Sequence, residues 1–245
     1  SELKALSKLK PPVFDRSIVR EYLSYQTVIS PHTFDIQTMQ VRAGCCVVWD
    51  KNNQSFTTHQ YYSPLDTPIT LHTKEEAVET IEAKLIESVA LRLPREVRYA
   101  ALLSGGLDSS LIAAMASKHQ TLHTFCIGYE GYESHDERRF AKITAEHIGS
   151  THHEVLFGKK EFLQTIEEVI EILDEPLGDP AMLPLYHLMK HVSKEGFKVV
   201  LTGDGSDELF MGYRTYKEYL DLEQASDLKF KNWLRNYFKA NFSMH

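Results

Sequence analysis

The sequence predicts a doubly wound α/β fold: a parallel sheet with flanking helices, preceded by a small α+β segment. Three observations predict it. From Glu96 onward, short apolar runs alternate with amphipathic stretches, the rhythm of βα units whose sheet is covered on both faces. The first and last of these runs end in glycine-containing acidic loops, "SGGLDSS" and "TGDGSDELFMGY", and in such sheets ligands bind beyond the carboxyl ends of the strands. Residues before about 68 lack the alternation and are polar and mixed in texture.

Each element follows from its local pattern. A short helix is expected around Ser17–Tyr25, then segments at Met39–Val41 and Cys45–Trp49. "DKNNQ", Asp50 to Gln54, is a turn by composition, and "FTTHQYY" beyond it completes a hairpin. "YYSPLDTP" carries two prolines and reads as a linker. Lys74–Leu93 is an amphipathic helix with Val78, Ile81, Leu85 and Val89 on one face. "VRYAALL" and "TLHTFCIG" are buried strands, with a helix over Ser109–Lys118 between them. "DERRFAKITAEHIG" is a helix with Asp136 near its cap and Gly149 past its end. "THHEVLF" is a third strand and "FKVVLTG" a fourth, separated by helices at Glu161–Leu173 and about Ala181–Glu195. "LKFKNWLRNYF" spaces Trp233, Tyr237 and Phe238 as a helix packing its aromatics.

Composition narrows the function classes. The 245 residues are 42% hydrophobic and 25% charged, ordinary for a globular protein. A net charge of −7 opposes general binding to nucleic acid or an anionic membrane surface. No run approaches the roughly 20 apolar residues of a membrane-spanning helix. Cys45, Cys46 and Cys126 make neither a disulfide framework nor a CxxC pair, so a reducing cytoplasm is the expected setting.

The two loops carry the chemistry. In "SGGLDSS" the glycines let backbone amides face an anion, and Ser104, Ser109 and Ser110 add hydroxyls at the positive end of a new helix. The Walker pattern GxxxxGK[ST] is absent. Asp108 would repel a phosphate unless Mg²⁺ bridges them, and Asp207 of "GDGSDE" supplies a second carboxylate for that metal. His187 and His191 stand at i, i+4 on a helix, but without the glutamate of HExxH they read as surface or packing residues. His152–His153 reads as strand-end packing.

"LLSGGLDSS" (Leu102–Ser110) resembles the PP-loop of N-type ATP pyrophosphatases. Together with "HHEV", "DEPLGDPAMLPLY" and "LTGDGSDELFMGY", it is similar to the synthetase domain of glutamine-hydrolysing asparagine synthetases. "EYLSYQTVISPHTFDIQTMQVRAGCCVVWD" and "QYYSPL" resemble that family's segment joining its glutaminase and synthetase domains. The resemblance implies a PP-loop ATP pyrophosphatase fold over 69–245, truncated at its C-terminus, behind a linker over 1–68 that follows an absent glutaminase domain. It implies a reaction in which ATP activates a carboxylate, aspartate by default, as an acyl-adenylate, and ammonia then displaces AMP.

By the same resemblance, Ser104, Gly105, Gly106, Asp108, Ser109 and Ser110 hold pyrophosphate, with Asp108 and Asp207 on Mg²⁺. Leu102, Leu103, Ile127, Thr202 and Gly203 frame the nucleotide. Asp204, where the family usually has glutamate, orients or deprotonates the amine, and Glu175 and Asp179 line the substrate pocket. The shorter Asp204 leaves open a related ligase that closes β-lactam rings or cyclises peptides, and a non-catalytic nucleotide-binding module is the other alternative. Expected partners are the small substrates and a glutaminase domain in a longer chain, with room for a homodimer.

Overall fold

The computed structural model describes residues 2–66, 73–131 and 136–223. The helix expected at Trp233, Tyr237 and Phe238 lies outside the described residues. The chain divides into two compact units. One comprises Ser1–Leu91, Ile127–Asp136 and Glu154–Gly196; the other comprises Arg92–Cys126, Glu137–His153 and Phe197–His245.

In the first unit, helices α1 (Leu3–Ser7) and α2 (Arg16–Tyr25) precede an antiparallel hairpin, β1 (Cys45–Asp50) and β2 (Ser55–Gln60). Asp15 starts α2 by accepting the Ser17 amide at 2.8 Å. Asp50 closes the hairpin turn by accepting the Asn52 amide at 2.8 Å, and Trp49 packs on Phe56 with ring centroids 4.5 Å apart. Met39–Val41 forms no strand: both residues are exposed, and Gln40 donates its amide back to the Pro31 carbonyl at 2.8 Å.

Helix α3 (Lys74–Arg92) starts from a reciprocal cap, in which Thr73 Oγ1 accepts the Glu76 amide and Glu76 accepts the Thr73 amide. The apolar stripe expected on α3 is buried unevenly, Val89 fully and Val78 hardly at all.

Up to the last strand the remaining elements alternate as the sequence predicts; the two helices after it were not expected. They are β3 (Tyr99–Leu102), α4 (Leu107–Ser117), β4 (His123–Tyr129), α5 (Arg138–His147), β5 (Thr151–Phe157), α6 (Lys159–Ile172), α7 (Met182–Lys194), β6 (Val199–Leu201), α8 (Ser206–Phe210) and α9 (Arg214–Glu223). The sheet order is β5-β4-β3-β6. Strand β3 runs parallel to β4, with Leu102 opposite Phe125, and parallel to β6, with Ala101 opposite Leu201. The chain winds outward from β3 to β4 and β5, then returns to place β6 on the other side of β3. This is a doubly wound order, and its reversal falls between β3 and β6.

Small residues bring the layers together in the second unit. Ala100 and Ala101 on β3, Ala113 and Ala116 on α4, and Ala141 on α5 have no exposed surface. Helix α4 starts two residues earlier than its sequence suggested, because extended Gly106 (ψ 163°) is the N-cap and Asp108 belongs to the first turn. The N-cap of α5 is Glu137, next to Asp136 as the sequence suggested.

Candidate functional site

Parallel pairing of β3 with β6 places the segments leaving both strands at one end of the sheet, and one glycine shows how closely they meet. A Cβ on Gly203 would stand 2.8 Å from the Ser109 nitrogen and 3.1 Å from Asp108 Cβ. No side chain fits between the two loops. "SGGLDSS" and "TGDGSDE", about a hundred residues apart in sequence, are therefore one structure at the reversal point of the sheet.

The first loop is shaped by Gly105, whose φ of +84° favours glycine. A Cβ there would meet Phe140 Cβ at 2.6 Å and the Ala141 nitrogen at 2.8 Å, so the start of α5 presses on this loop. Ser109 braces the loop from inside. Its buried hydroxyl accepts the Ser104 amide at 3.2 Å and lies 2.9 Å from Ser104 Oγ. Ser104 Oγ in turn accepts the Gly106 amide at 3.3 Å. The Ser110 hydroxyl pairs with Thr144 Oγ1 at 3.2 Å, joining α4 to α5. All three expected hydroxyl donors thus have partners inside the fold. What the loop still offers an anion is the first amides of α4, at Leu107, Asp108 and Ser109, which a helix cannot satisfy internally.

The second loop is braced as well. Gly205 is the left-handed N-cap of α8, which carries Asp207 and Glu208 in its first turn. Gly212 donates its amide to the Asp207 carbonyl at 2.9 Å and leaves no room for a side chain beside the Asp207 carboxylate. Tyr213 donates to Glu208 Oε1 at 2.8 Å. That hydrogen bond, with burial and the charges of Glu208 and Asp207, pushes the Tyr213 phenol up to about 12, so it keeps its proton. Glu208, Gly212 and Tyr213 are brace residues that the motif contained without marking their role.

Asp108 and Asp207 are half-buried, whereas Asp204 is exposed in the turn before α8. Among the described residues, no group of three or more His, Cys, Asp or Glu side chains could hold a metal ion. Two carboxylates and a run of amides do suit Mg²⁺ shared with phosphate, since that ion keeps several waters and takes only one or two protein carboxylates. Leu103 is wholly buried and donates its amide to the Phe125 carbonyl at 2.8 Å, whereas Leu102, Thr202 and Gly203 keep partial exposure.

Ile127, Glu175 and Asp179 belong to the other unit. Glu175 Oε1 accepts the Phe34 amide at 2.5 Å, and Asp179 Oδ1 accepts the Ala181 amide at 2.9 Å ahead of α7. The histidine pairs make packing contacts. His152 bridges Thr124 Oγ1 (2.9 Å) and Cys126 Sγ (3.4 Å) through its two ring nitrogens. The His153 ring stacks on Phe125 at 4.4 Å. His187 sits between Phe157 and His191, with ring centroids 5.6 and 4.8 Å away.

The sequence profile of the asparagine synthase family matches residues 80–243, most of the chain and both loops. The chain belongs to the asparagine synthase family. An asparagine synthetase (glutamine-hydrolysing) of Bacillus subtilis is 30% identical over 225 residues, covering 91% of this chain and 35% of the relative. A Mycobacterium tuberculosis protein provisionally named for the same activity is 36% identical over 230 residues, with 91% and 35% covered. A rice asparagine synthetase (glutamine-hydrolysing) is 37% identical over 140 residues, covering 52% of this chain and 23% of the relative. The chain thus spans about a third of the length of the bacterial relatives it matches.

Proposed function

We propose that this chain is the ATP-using part of an amide-forming ligase that activates the side-chain carboxylate of aspartate. The carboxylate oxygen attacks the α-phosphorus of ATP, and the bond to the β-phosphate breaks to release pyrophosphate. Ammonia then attacks the acyl carbon, AMP leaves, and a proton is lost from the new amide nitrogen. The observation that carries this reading is the seating of Gly203 against Asp108 and Ser109, which joins the two acidic loops into one site.

In this reading the amides of Leu107, Asp108 and Ser109 hold the pyrophosphate end of ATP. Strand-end groups of Leu102, Thr202 and Gly203 frame the nucleoside. Asp108 and Asp207 are the groups that would hold Mg²⁺, which when bound stabilises charge on the departing pyrophosphate. The exposed carboxylate of Asp204 accepts the proton shed as ammonia adds. The amine source is a glutaminase domain of the longer protein, by analogy with the relatives, which are named as glutamine-hydrolysing.

The test is pyrophosphate release from ATP and Mg²⁺ with a panel of carboxylates, in the full-length protein. Aspartate should give the largest rate. Asp204→Asn should keep pyrophosphate exchange and slow amide formation about a hundredfold, the ordinary worth of a positioned base. Loss of exchange in that variant, with ATP still bound, would place Asp204 in the first half-reaction instead.

A further inference from the structure

The first amides of α4, at Leu107, Asp108 and Ser109, cannot be satisfied inside their own helix, and two contacts with α5 flank them. Before these amides, Gly105 is packed against the start of α5. A Cβ there would meet Phe140 Cβ at 2.6 Å and the Ala141 nitrogen at 2.8 Å. After them, the Ser110 hydroxyl pairs with Thr144 Oγ1 at 3.2 Å. Thr144 lies three and four positions beyond Ala141 and Phe140, so all three share one face of α5. Ala141 and Ala145 on that side are buried, and their small side chains let α5 lie close. The stretch that carries the amides is thus pinned at both ends to a single helix face.

The two pins do different things. Packing at Gly105 fixes where the loop passes, but it does not fix how α4 is turned about its axis. Ser110 belongs to α4, and its amide makes the first backbone bond of that helix, to the Gly106 carbonyl at 3.1 Å. A hydrogen bond from its side chain is directional, as an apolar contact is not. It therefore sets the roll of the first turn, and with it the heading of the three amides. A hydroxyl that the motif offers as a phosphate donor is spent on a neighbouring helix instead.

We propose that Thr144 is a positioning residue for the pyrophosphate-binding amides of α4, acting through the Ser110 hydroxyl. Ser110 is then a joint between two helices and does not touch the nucleotide. The assignment rests on the ATP reading above and brings a third segment of the chain into it.

The experiment is calorimetric titration of the full-length protein with Mg²⁺–ATP, Mg²⁺–pyrophosphate and AMP. Thr144→Val keeps the shape and loses the hydroxyl, and it should weaken ATP and pyrophosphate about fivefold, the scale of one neutral hydrogen bond. AMP binding should hardly change, a selectivity that general loosening of the fold would not produce. Thr144→Ser retains the hydroxyl and should bind like wild type. Ser110→Ala should match Thr144→Val, and the double variant should lose no more than either single one, because both changes remove the same bond. Unchanged ATP and pyrophosphate affinities in Thr144→Val, an equal loss for AMP, or no rescue by serine would overturn the assignment and leave the ATP reading intact. So would a larger loss in Ser110→Ala that adds to that of Thr144→Val, since it would put the Ser110 hydroxyl on the phosphate. A wild-type protein that binds neither ATP nor pyrophosphate would overturn both.

Discussion

Asp108 shows how one residue type can be wrong for one neighbour and right for another. A carboxylate in the first turn of α4 suits the helix, because it faces the positive end of the dipole. Beside a phosphate it is repulsive, so in the proposed pyrophosphate loop it makes sense only with a cation between them. Asp108→Asn should therefore weaken Mg²⁺–ATP binding at least tenfold and AMP binding far less, because the lost charge faces metal and β,γ-phosphates rather than the nucleoside. Calorimetry in parallel on both nucleotides checks this, and equal losses would remove Asp108 from the metal. Ser109 shows the reverse situation. Its hydroxyl looked like a phosphate donor in the sequence, yet it accepts the Ser104 amide and sits beside Ser104 Oγ. Its contribution is to hold the curve of the loop.

Helices α6 and α7 of the first unit are joined by Glu168, which accepts from Lys190 at 2.6 and 2.8 Å and from Tyr186 at 3.0 Å. The hydrogen bond from Lys190, then that from Tyr186, holds the Glu168 carboxyl below its usual range. Burial, then the neighbouring His191, lowers His187 on the same face of α7. Both shifts have the same sign for stability. A depressed folded value means that the contribution is present above the ordinary one and is lost as pH falls. The His187 contribution should fade below its ordinary 6.5 and the Glu168 contribution below 4.5. Melting temperature against pH is the measurement: His187→Gln should flatten the first decline and Glu168→Gln the second.

These helices, the hairpin and the strands were legible from period and turn chemistry, because each is specified by neighbours in sequence. What was not legible depends on distant partners. Gly106 as the cap of α4 needs the ψ that the site imposes, and the path of Met39–Val41 reflects a backbone bond to Pro31 that no periodicity encodes. Both site loops could be read as strand-end loops, but their adjacency could not, because strand order is a property of the whole sheet. The bracing of Asp207 by Gly212 and the pressing of α5 onto Gly105 were hidden for the same reason.

The chain's early residues take part in a compact unit with later ones rather than standing apart. Asp174 accepts the Leu3 amide at 2.6 Å, Glu175 accepts the Phe34 amide, and Gly178 donates to the Gln26 carbonyl at 3.1 Å. Within the sheet, the pairing of β3 with β6 has a consequence for how the protein acquires its activity. Those strands are joined only after α4, β4, α5, β5, α6 and α7 have been made, so their pairing closes the longest loop in the sheet. Long loop closure is slow because entropy is lost before contacts repay it. β6 is also a short strand of three residues at one end of the sheet order, which makes it the natural first strand to peel away. A chain that has lost β6 keeps "SGGLDSS" but has nothing beside it, so under the proposed function the nucleotide would recognise only the fully zipped sheet. By mass action Mg²⁺–ATP at a hundred times its dissociation constant should then add about 2.7 kcal/mol to stability. Thermal unfolding with and without Mg²⁺–ATP reads this directly, and Asp108→Asn should shrink the gain. Substrate would thus act as the last fastener of a slowly closing sheet, and cells short of ATP would hold more of this protein with its final strand undone.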